Sequence, residues 1–167
     1  MIKTFNSLLV TMFGLGKIKF MPGTLGSLAI TIILFYLFHS LNISSNVVLI
    51  GLIIIFIYSF YAVSTYTEDS KNKDPGEIII DEFLGQSIPI YLYETSHGTT
   101  KESNEAIVYY ALFFILFRYF DIMKPFPVNF FDKNFKNSFG VIMDDICAGL
   151  YVVLTVVCFM VVKSYIL

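Results

Sequence analysis

The sequence predicts an all-α membrane protein, a single-domain bundle over residues 1–167 with about six helices, most of them embedded in the bilayer. Hydrophobic residues make up 56% of the 167 residues, and the mean hydropathy is +0.74. Both values are too high for an ordinary soluble domain of this length. The apolar residues also form five long runs separated by short polar stretches, and we expect a helix in each run. The runs cover residues 25–38, 47–66, 78–93, 106–120 and 146–162.

The sixth helix is a short N-terminal one over residues 5–13, lying in or near the membrane interface. The N-terminal stretch lacks a small-x-small cleavage site, so we expect it to be retained. Only the run 47–66 is a clean span, since 20 residues of helix cover about 30 Å. Whether the helices at 25–38 and 78–93 cross the membrane completely stays open.

Two proline-containing stretches predict helix ends. In "KDPGE", Asp74 has the position of a cap, Pro75 that of the first helical residue, and Glu77 follows three residues after the cap. The third long helix is therefore expected to begin at Pro75. Pro125 and Pro127 are expected to end the fourth long helix near Lys124.

The distribution of charge predicts the orientation in the membrane. If the chain crosses back and forth from residue 1, nine of the eleven basic residues lie on one side. These nine are Lys3, Lys17, Lys19, Lys71, Lys73, Arg118, Lys124, Lys133 and Lys136. The positive-inside rule places that side in the cytoplasm. Ten of the thirteen acids lie there too, which the rule does not explain and which indicates a polar site at that face.

The adjacent acids Asp81 and Glu82 lie inside the apolar run "IIIDEFLGQSIPIYLY". A charge at bilayer depth costs at least about 2.5 to 3.5 kcal/mol on insertion scales, so this pair needs a metal, a basic partner or a functional cavity. Helix capping does not explain acids that lie one to two turns inside a helix. The small Gly85 on the same helix would admit a close neighbour.

Three further stretches carry polar groups to the predicted cytoplasmic side. In "GLGKIKFMPGTLGSL", residues 14–28, Thr24 or Ser27 is expected to cap the next helix, and exposed amides there suit a phosphate. In "FRYFDIMKPFP", residues 117–127, Arg118 and Asp121 are three apart and can pair on one helix face.

In "GVIMDDICAGLY", residues 140–151, Asp144 and Asp145 are expected where the last helix begins. Capping explains one of these acids but not both.

Together these stretches predict a metal-dependent phosphate site. The predicted metal ligands and catalytic residues are Asp81, Glu82, Asp121, Asp144 and Asp145. Hard carboxylate oxygens without convergent His or Cys select Mg²⁺ over Zn²⁺. The predicted phosphate-binding residues are Arg118, Lys124, Gly23, Thr24 and Ser27. We expect His39 and His97 to lie in or near loops on the far side and to take no part.

Four motifs, in this order and spacing, resemble the phosphatidylglycerophosphatase A family of bacterial membrane proteins. They are "MPGTLGS", "DPGEIIIDEFLG", "RYFDIMKPFP" and "MDDICAG". The resemblance implies an all-α bundle and Mg²⁺-dependent hydrolysis of the phospholipid phosphatidylglycerophosphate to phosphatidylglycerol and inorganic phosphate. Whether water attacks directly or an aspartate is phosphorylated first stays open. Neither a nucleic-acid partner nor an oligomeric state is indicated by the sequence.

The main alternative is a small membrane carrier or channel whose acids line a cation or proton path. Such a path would place acids at the membrane midplane and continue to the far side. Histidine-dependent lipid phosphatases and alcohol phosphotransferases that use cytidine diphosphate lipids are disfavoured, because their signature motifs are missing.

Overall fold

The computed structural model describes residues 2–68, 75–96 and 103–166, and within them the chain is all-α, which confirms the predicted fold class. The described ranges contain seven α-helices where about six were predicted. They are α1 (Ile2–Val10), α2 (Pro22–Phe35), α3 (Ser45–Thr67), α4 (Ile80–Ser96), α5 (Ser103–Met123), α6 (Val128–Asn134) and α7 (Ser138–Ile166). A short 3-10 helix (Leu15–Lys17) precedes α2, and a π-helical turn (Tyr36–Ser40) extends it.

Four of these helical segments are long and apolar enough to cross a membrane. They cover Pro22–Ser40, Ser45–Thr67, Ser103–Met123 and Ser138–Tyr165. Only 22% to 28% of each apolar window is buried inside the protein, so most of their surface faces outward. Such a surface suits contact with lipid chains.

The shorter helix α4 lies at the centre of the bundle. Ten of its 17 residues are buried, and it packs against α2, α3, α5 and α7. At about 1.5 Å per residue its length is about 25 Å. The acids that begin this helix are therefore carried by the most enclosed element of the fold.

The predicted start of this helix at Pro75 is wrong, because α4 begins at Ile80. Asp74 lies outside the described residues. The amide of Ile79 donates to the carbonyl of Val10 at the end of α1 (3.0 Å), and Ile78 donates to Pro75 (2.9 Å). These tertiary and turn hydrogen bonds hold residues 75–79 out of the helix.

The chain between α5 and α7 turns at the predicted prolines. Helix α5 ends at Met123, and Phe126–Pro127 is a cis peptide bond. The hydroxyl of Tyr151 on α7 donates to the carbonyl of Phe126 and so ties this turn to the bundle. Helix α6, which the sequence did not predict, follows and packs against α7.

Candidate active site

The four polar stretches meet around one cavity of about 310 Å³ at one end of the bundle. It is bounded by the first turns of α2 and α4, the end of α5 and the second turn of α7. Its lining residues are Met21, Pro22, Gly23, Thr24, Gly76, Ile78, Asp81, Glu82, Arg118, Asp121, Lys124, Asp144 and Asp145. Nine of the ten predicted site residues are thus brought together, and Ser27 is the exception.

Three of the five predicted acids form a tight group. Asp81, Glu82 and Asp145 each offer a carboxylate oxygen within 4.8 Å of the others. Asp81 and Asp145 are only 6% and 4% exposed. Within the described part of the chain, Oε2 of Glu82 and Oδ1 of Asp145 are buried without a hydrogen-bond partner. Buried ionised carboxylates in such proximity are unfavourable unless a cation or a proton neutralises part of their charge.

The other two acids are paired with bases that also line the cavity. Nη1 of Arg118 lies 2.6 Å from Oδ2 of Asp121, which confirms the predicted pairing on one face of α5. Apart from this ion pair, Nε and Nη1 of Arg118 have no hydrogen-bond partner among the described residues. The guanidinium therefore keeps donors free beside the acid group.

Lys124 follows directly on α5 and joins two acids. Its Nζ donates to Oδ1 of Asp132 (2.7 Å) and to Oδ2 of Asp144 (3.0 Å). Burial lowers the pKa of Lys124, but the hydrogen bonds and charges of the two carboxylates outweigh burial and raise it above the ordinary 10.5. Lys124 is therefore a cation at neutral pH. No sequence pattern singles out Asp132, which is one more acid in a polar stretch.

The start of α2 differs from the prediction. Neither Thr24 nor Ser27 caps this helix, because it begins at Pro22 after Met21, whose φ of 48° is left-handed. Proline favours the first helical position, so the helix starts earlier than a Thr or Ser cap would place it. Ser27 is fully buried one turn further on and donates to the carbonyl of Gly23 (2.8 Å).

The start of α7 differs too. It begins at Ser138, and Oδ1 of Asn137 accepts from the amide of Gly140 (3.1 Å). Asp144 and Asp145, predicted at the helix start, therefore lie in the second turn. Capping explains neither of them, which leaves the cavity as the reason for both.

Two glycines bring the acids of α4 beside those of α7. A Cβ on Gly85 would overlap the carbonyl oxygen of Asp145 and lie 2.8 Å from Cε2 of Phe117. A Cβ on Gly149 would overlap the carbonyl oxygen of Gly85. The two helix backbones are thus in direct contact, as the predicted role of Gly85 required.

The polar contacts between α2 and α4 do not form a continuous line through the bundle. Nε2 of Gln86 donates to Oγ1 of Thr31 (3.2 Å), and at the far end Nε2 of His39 lies 3.2 Å from Oε1 of Glu94. Phe35 and Ile90 occupy the intervening turn of each helix, and Ile90 is fully buried. His39 therefore lies away from the cavity, and His97 lies outside the described residues.

Comparisons with known proteins identify the family. The family model described as Phosphatidylglycerophosphatase A matches residues 8–160. A Haemophilus influenzae protein named Phosphatidylglycerophosphatase A is 36% identical over 149 residues, which are 89% of this chain and 85% of that protein. An Escherichia coli protein of the same name is 34% identical over 145 residues, 86% of this chain and 76% of that protein.

A third relative carries a different name. A Bacteroides thetaiotaomicron protein, provisionally named phosphatidylinositol-3-phosphatase, is 32% identical over 145 residues, 86% of each chain. No solved structure matches the chain. The family match covers most of the sequence and includes every residue of the cavity. The chain belongs to the phosphatidylglycerophosphatase A family and is a phosphatase acting on a phosphomonoester.

Proposed function

We propose that the protein hydrolyses phosphatidylglycerophosphate to phosphatidylglycerol and inorganic phosphate, with Mg²⁺, at the cytoplasmic face of a bacterial inner membrane. One observation carries the proposal: buried carboxylates with unpartnered oxygens on Glu82 and Asp145 lie in the same cavity as the free donors of Arg118. The first group suits a hard cation and the second suits a phosphate. The excess of basic residues on the same side supports the cytoplasmic orientation.

The residues present fit a magnesium ion. Asp81, Glu82 and Asp145 would hold it, since their carboxylate oxygens lie close together. Oε2 of Glu82 and Oδ1 of Asp145 also have no hydrogen-bond partner among the described residues. When bound, the ion would neutralise phosphate charge and lower the pKa of a water molecule. Asp121 and Asp144 would add negative charge beside the ion, while each stays paired with a base.

The phosphate would bind between the bases and the start of α2. Nε and Nη1 of Arg118 would donate to phosphate oxygens, and Lys124 would add a second positive charge. The amides of Gly23 and Thr24 lie in the first turn of α2, where helix N–H groups have no intrahelical acceptor and favour an anion.

The reaction balances without a further substrate. The oxygen of a water molecule bonds to phosphorus, the bond from phosphorus to the glycerol oxygen breaks, and the departing alcohol takes up the proton that the water loses. Catalysis would then consist mainly of positioning and charge stabilisation. The lipid chains would remain in the bilayer beside the apolar outer surfaces of the long helices.

A carrier with acids along an ion path is the less favoured function. The acids gather at one end of the bundle, and Phe35 and Ile90 interrupt the polar contacts between the cavity and Glu94. A continuous path would need polar groups at that level.

Phosphate release from defined lipids tests the proposal. The purified protein should release phosphate from phosphatidylglycerophosphate with Mg²⁺ and stop when a chelator is added. Asp81→Asn and Asp145→Asn should abolish release while the protein stays folded, and Glu105→Gln, an exposed change at the far end of α5, should not. Full turnover by folded Asp81→Asn protein would refute the site.

The same assay separates the head groups. Phosphatidylinositol-3-phosphate, which matches the name of the Bacteroides relative, is the second substrate to supply. Two of the three relatives carry the phosphatidylglycerophosphatase name, which is why we favour that head group. Release from the inositol lipid alone would move the assignment to it.

A further inference from the structure

Asp132 holds the ammonium of Lys124 from outside the cavity. Its Oδ1 lies 2.7 Å from Nζ, whereas Oδ2 of Asp144 lies 3.0 Å away on the cavity side. Lys124 and Asp144 line the cavity, and Asp132 does not. Asp132 is therefore not placed to contact a ligand in the cavity, and its direct contact with a lining side chain is the one with Lys124.

We infer that Asp132 is a positioning residue, which directs the Lys124 ammonium so that it binds the phosphate of the substrate; this inference rests on the proposed function. An ammonium has three N–H donors. Two of them are used by Asp132 and Asp144, and one remains for a phosphate oxygen. With two carboxylates fixed in space, the direction of the third donor is also fixed.

The element that carries Asp132 is well placed for this role. Helix α6 packs against α7 through aromatic rings, with centroids of Phe131 and Phe139 6.0 Å apart and those of Phe135 and Phe139 5.6 Å apart. Asp132 thus lies on a helix that packs directly against α7, which carries Asp144. Both carboxylates that hold Lys124 are carried by two helices that pack against each other.

Lys124 needs such support because its side chain is long and flexible, although its amide donates to the carbonyl of Phe120 (2.9 Å). It follows the last residue of α5, and its backbone is left-handed with a φ of 43°. A lysine side chain loses about 2 kcal/mol of rotamer entropy when it is fixed. Without Asp132 the ammonium would keep one partner, Asp144, and would rotate about that contact.

Removal of the Asp132 carboxylate should therefore weaken substrate binding more than turnover. In Asp132→Ala, KM for phosphatidylglycerophosphate should rise about 5- to 10-fold while kcat stays within about 2-fold, since the lost contact is made to the bound phosphate before and during reaction. Asp132→Glu should restore KM. Glu105→Ala removes an exposed carboxylate at the far end and should change neither constant.

A double-mutant cycle tests whether Asp132 acts through Lys124. Lys124→Met should itself raise KM, and Asp132→Ala should add nothing in that background. Additive effects on KM would overturn the inference, and so would an unchanged KM in Asp132→Ala alone. A fall in the thermal midpoint, with kcat and KM both impaired and no recovery in Asp132→Glu, would show a merely structural role and overturn it too.

The same experiment separates the two proposals. If the wild-type protein releases phosphate and Asp132→Ala behaves like wild type, only the role of Asp132 is refuted. If the wild-type protein releases no phosphate from either lipid, the proposed function is refuted and the role of Asp132 with it.

Discussion

Gly23 on α2 lies against the carboxylate of Glu82 on α4. A Cβ at position 23 would overlap Oε1 of Glu82 and would lie 3.2 Å from Nη1 of Arg118. The absence of a side chain at this position thus allows the start of α2, an acid of α4 and a base of α5 to share one small cavity.

Gly23→Ala should therefore damage activity far more than stability. The added methyl must displace the Glu82 carboxylate, the free end of a side chain, which can move without unfolding the helices. A displacement of about 1 Å at a reacting group can cost about 100-fold in rate, and we expect a loss of that order in kcat/KM. Phosphate release and the thermal midpoint measure the two effects.

Gly51→Ala is the matched control for Gly23→Ala. A Cβ on Gly51, within α3, would have nothing within 4 Å. Alanine is favoured over glycine in a helix by about 1 kcal/mol, so this variant should be fully active and at least as stable as wild type. Equal activity in the two variants would contradict the assigned role of Gly23.

Gly85→Ala should instead destabilise the fold. Its methyl would meet the backbone carbonyl of Asp145 and the ring of Phe117, and a backbone cannot move aside as a flexible side chain can. Overpacking of this kind costs about 1 to 3 kcal/mol or more in free energy of unfolding. Thermal unfolding in detergent measures the loss, and a midpoint equal to that of Gly51→Ala would show that α4 and α7 are less tightly packed than described.

Magnesium should stabilise the wild-type protein against heat. A ligand that binds only the folded state at 100 times its Kd adds about 2.7 kcal/mol. Asp145→Asn should lose this response because it removes one carboxylate of the acid group. In a chelator the variant should be at least as stable as wild type, since a buried like charge has been removed. The same rise in midpoint in both proteins would argue against magnesium binding at these acids.

Arg118→Lys should lower kcat/KM by about ten- to hundred-fold, the equivalent of one or two hydrogen bonds to a charged group. A lysine keeps the charge but replaces the planar guanidinium and its several N–H donors, those on Nε and Nη1 included, with a single ammonium. Lys163→Met, at the other end of α7, should leave kcat/KM unchanged. An Arg118→Lys variant with wild-type kcat/KM would show that charge alone suffices.

The grouping of the acids was predictable because local structure did not account for all of them: capping explains at most one of Asp144 and Asp145 and neither Asp81 nor Glu82. Asp81 and Glu82 interrupt an apolar run, and that signal survives any error in helix boundaries. The boundaries themselves were harder. The pattern around Pro75 is typical of a helix start, yet Ile79 donates to Val10, a contact between segments far apart in sequence.

The parts of the site that the sequence did not reveal depend on tertiary contacts. Asn137, which caps α7, was a readable signal that would have moved the start of this helix away from Asp144. No sequence signal marked Asp132. Its ion pair with Lys124 forms only because the chain turns at the two prolines between them. The role of Gly23 was equally hidden, because the neighbour that excludes a side chain there belongs to another helix.

The interruption at Phe35 and Ile90 has a consequence for the cell as well as for the enzyme. A membrane protein that gathers five carboxylates at one surface risks admitting water and ions along its interior. Here the buried hydrocarbon of Ile90 and the ring of Phe35 separate those charges from Glu94 and His39. The proposed ionic chemistry would thus stay at one end of the bundle, separated by hydrocarbon from the polar groups at the other end.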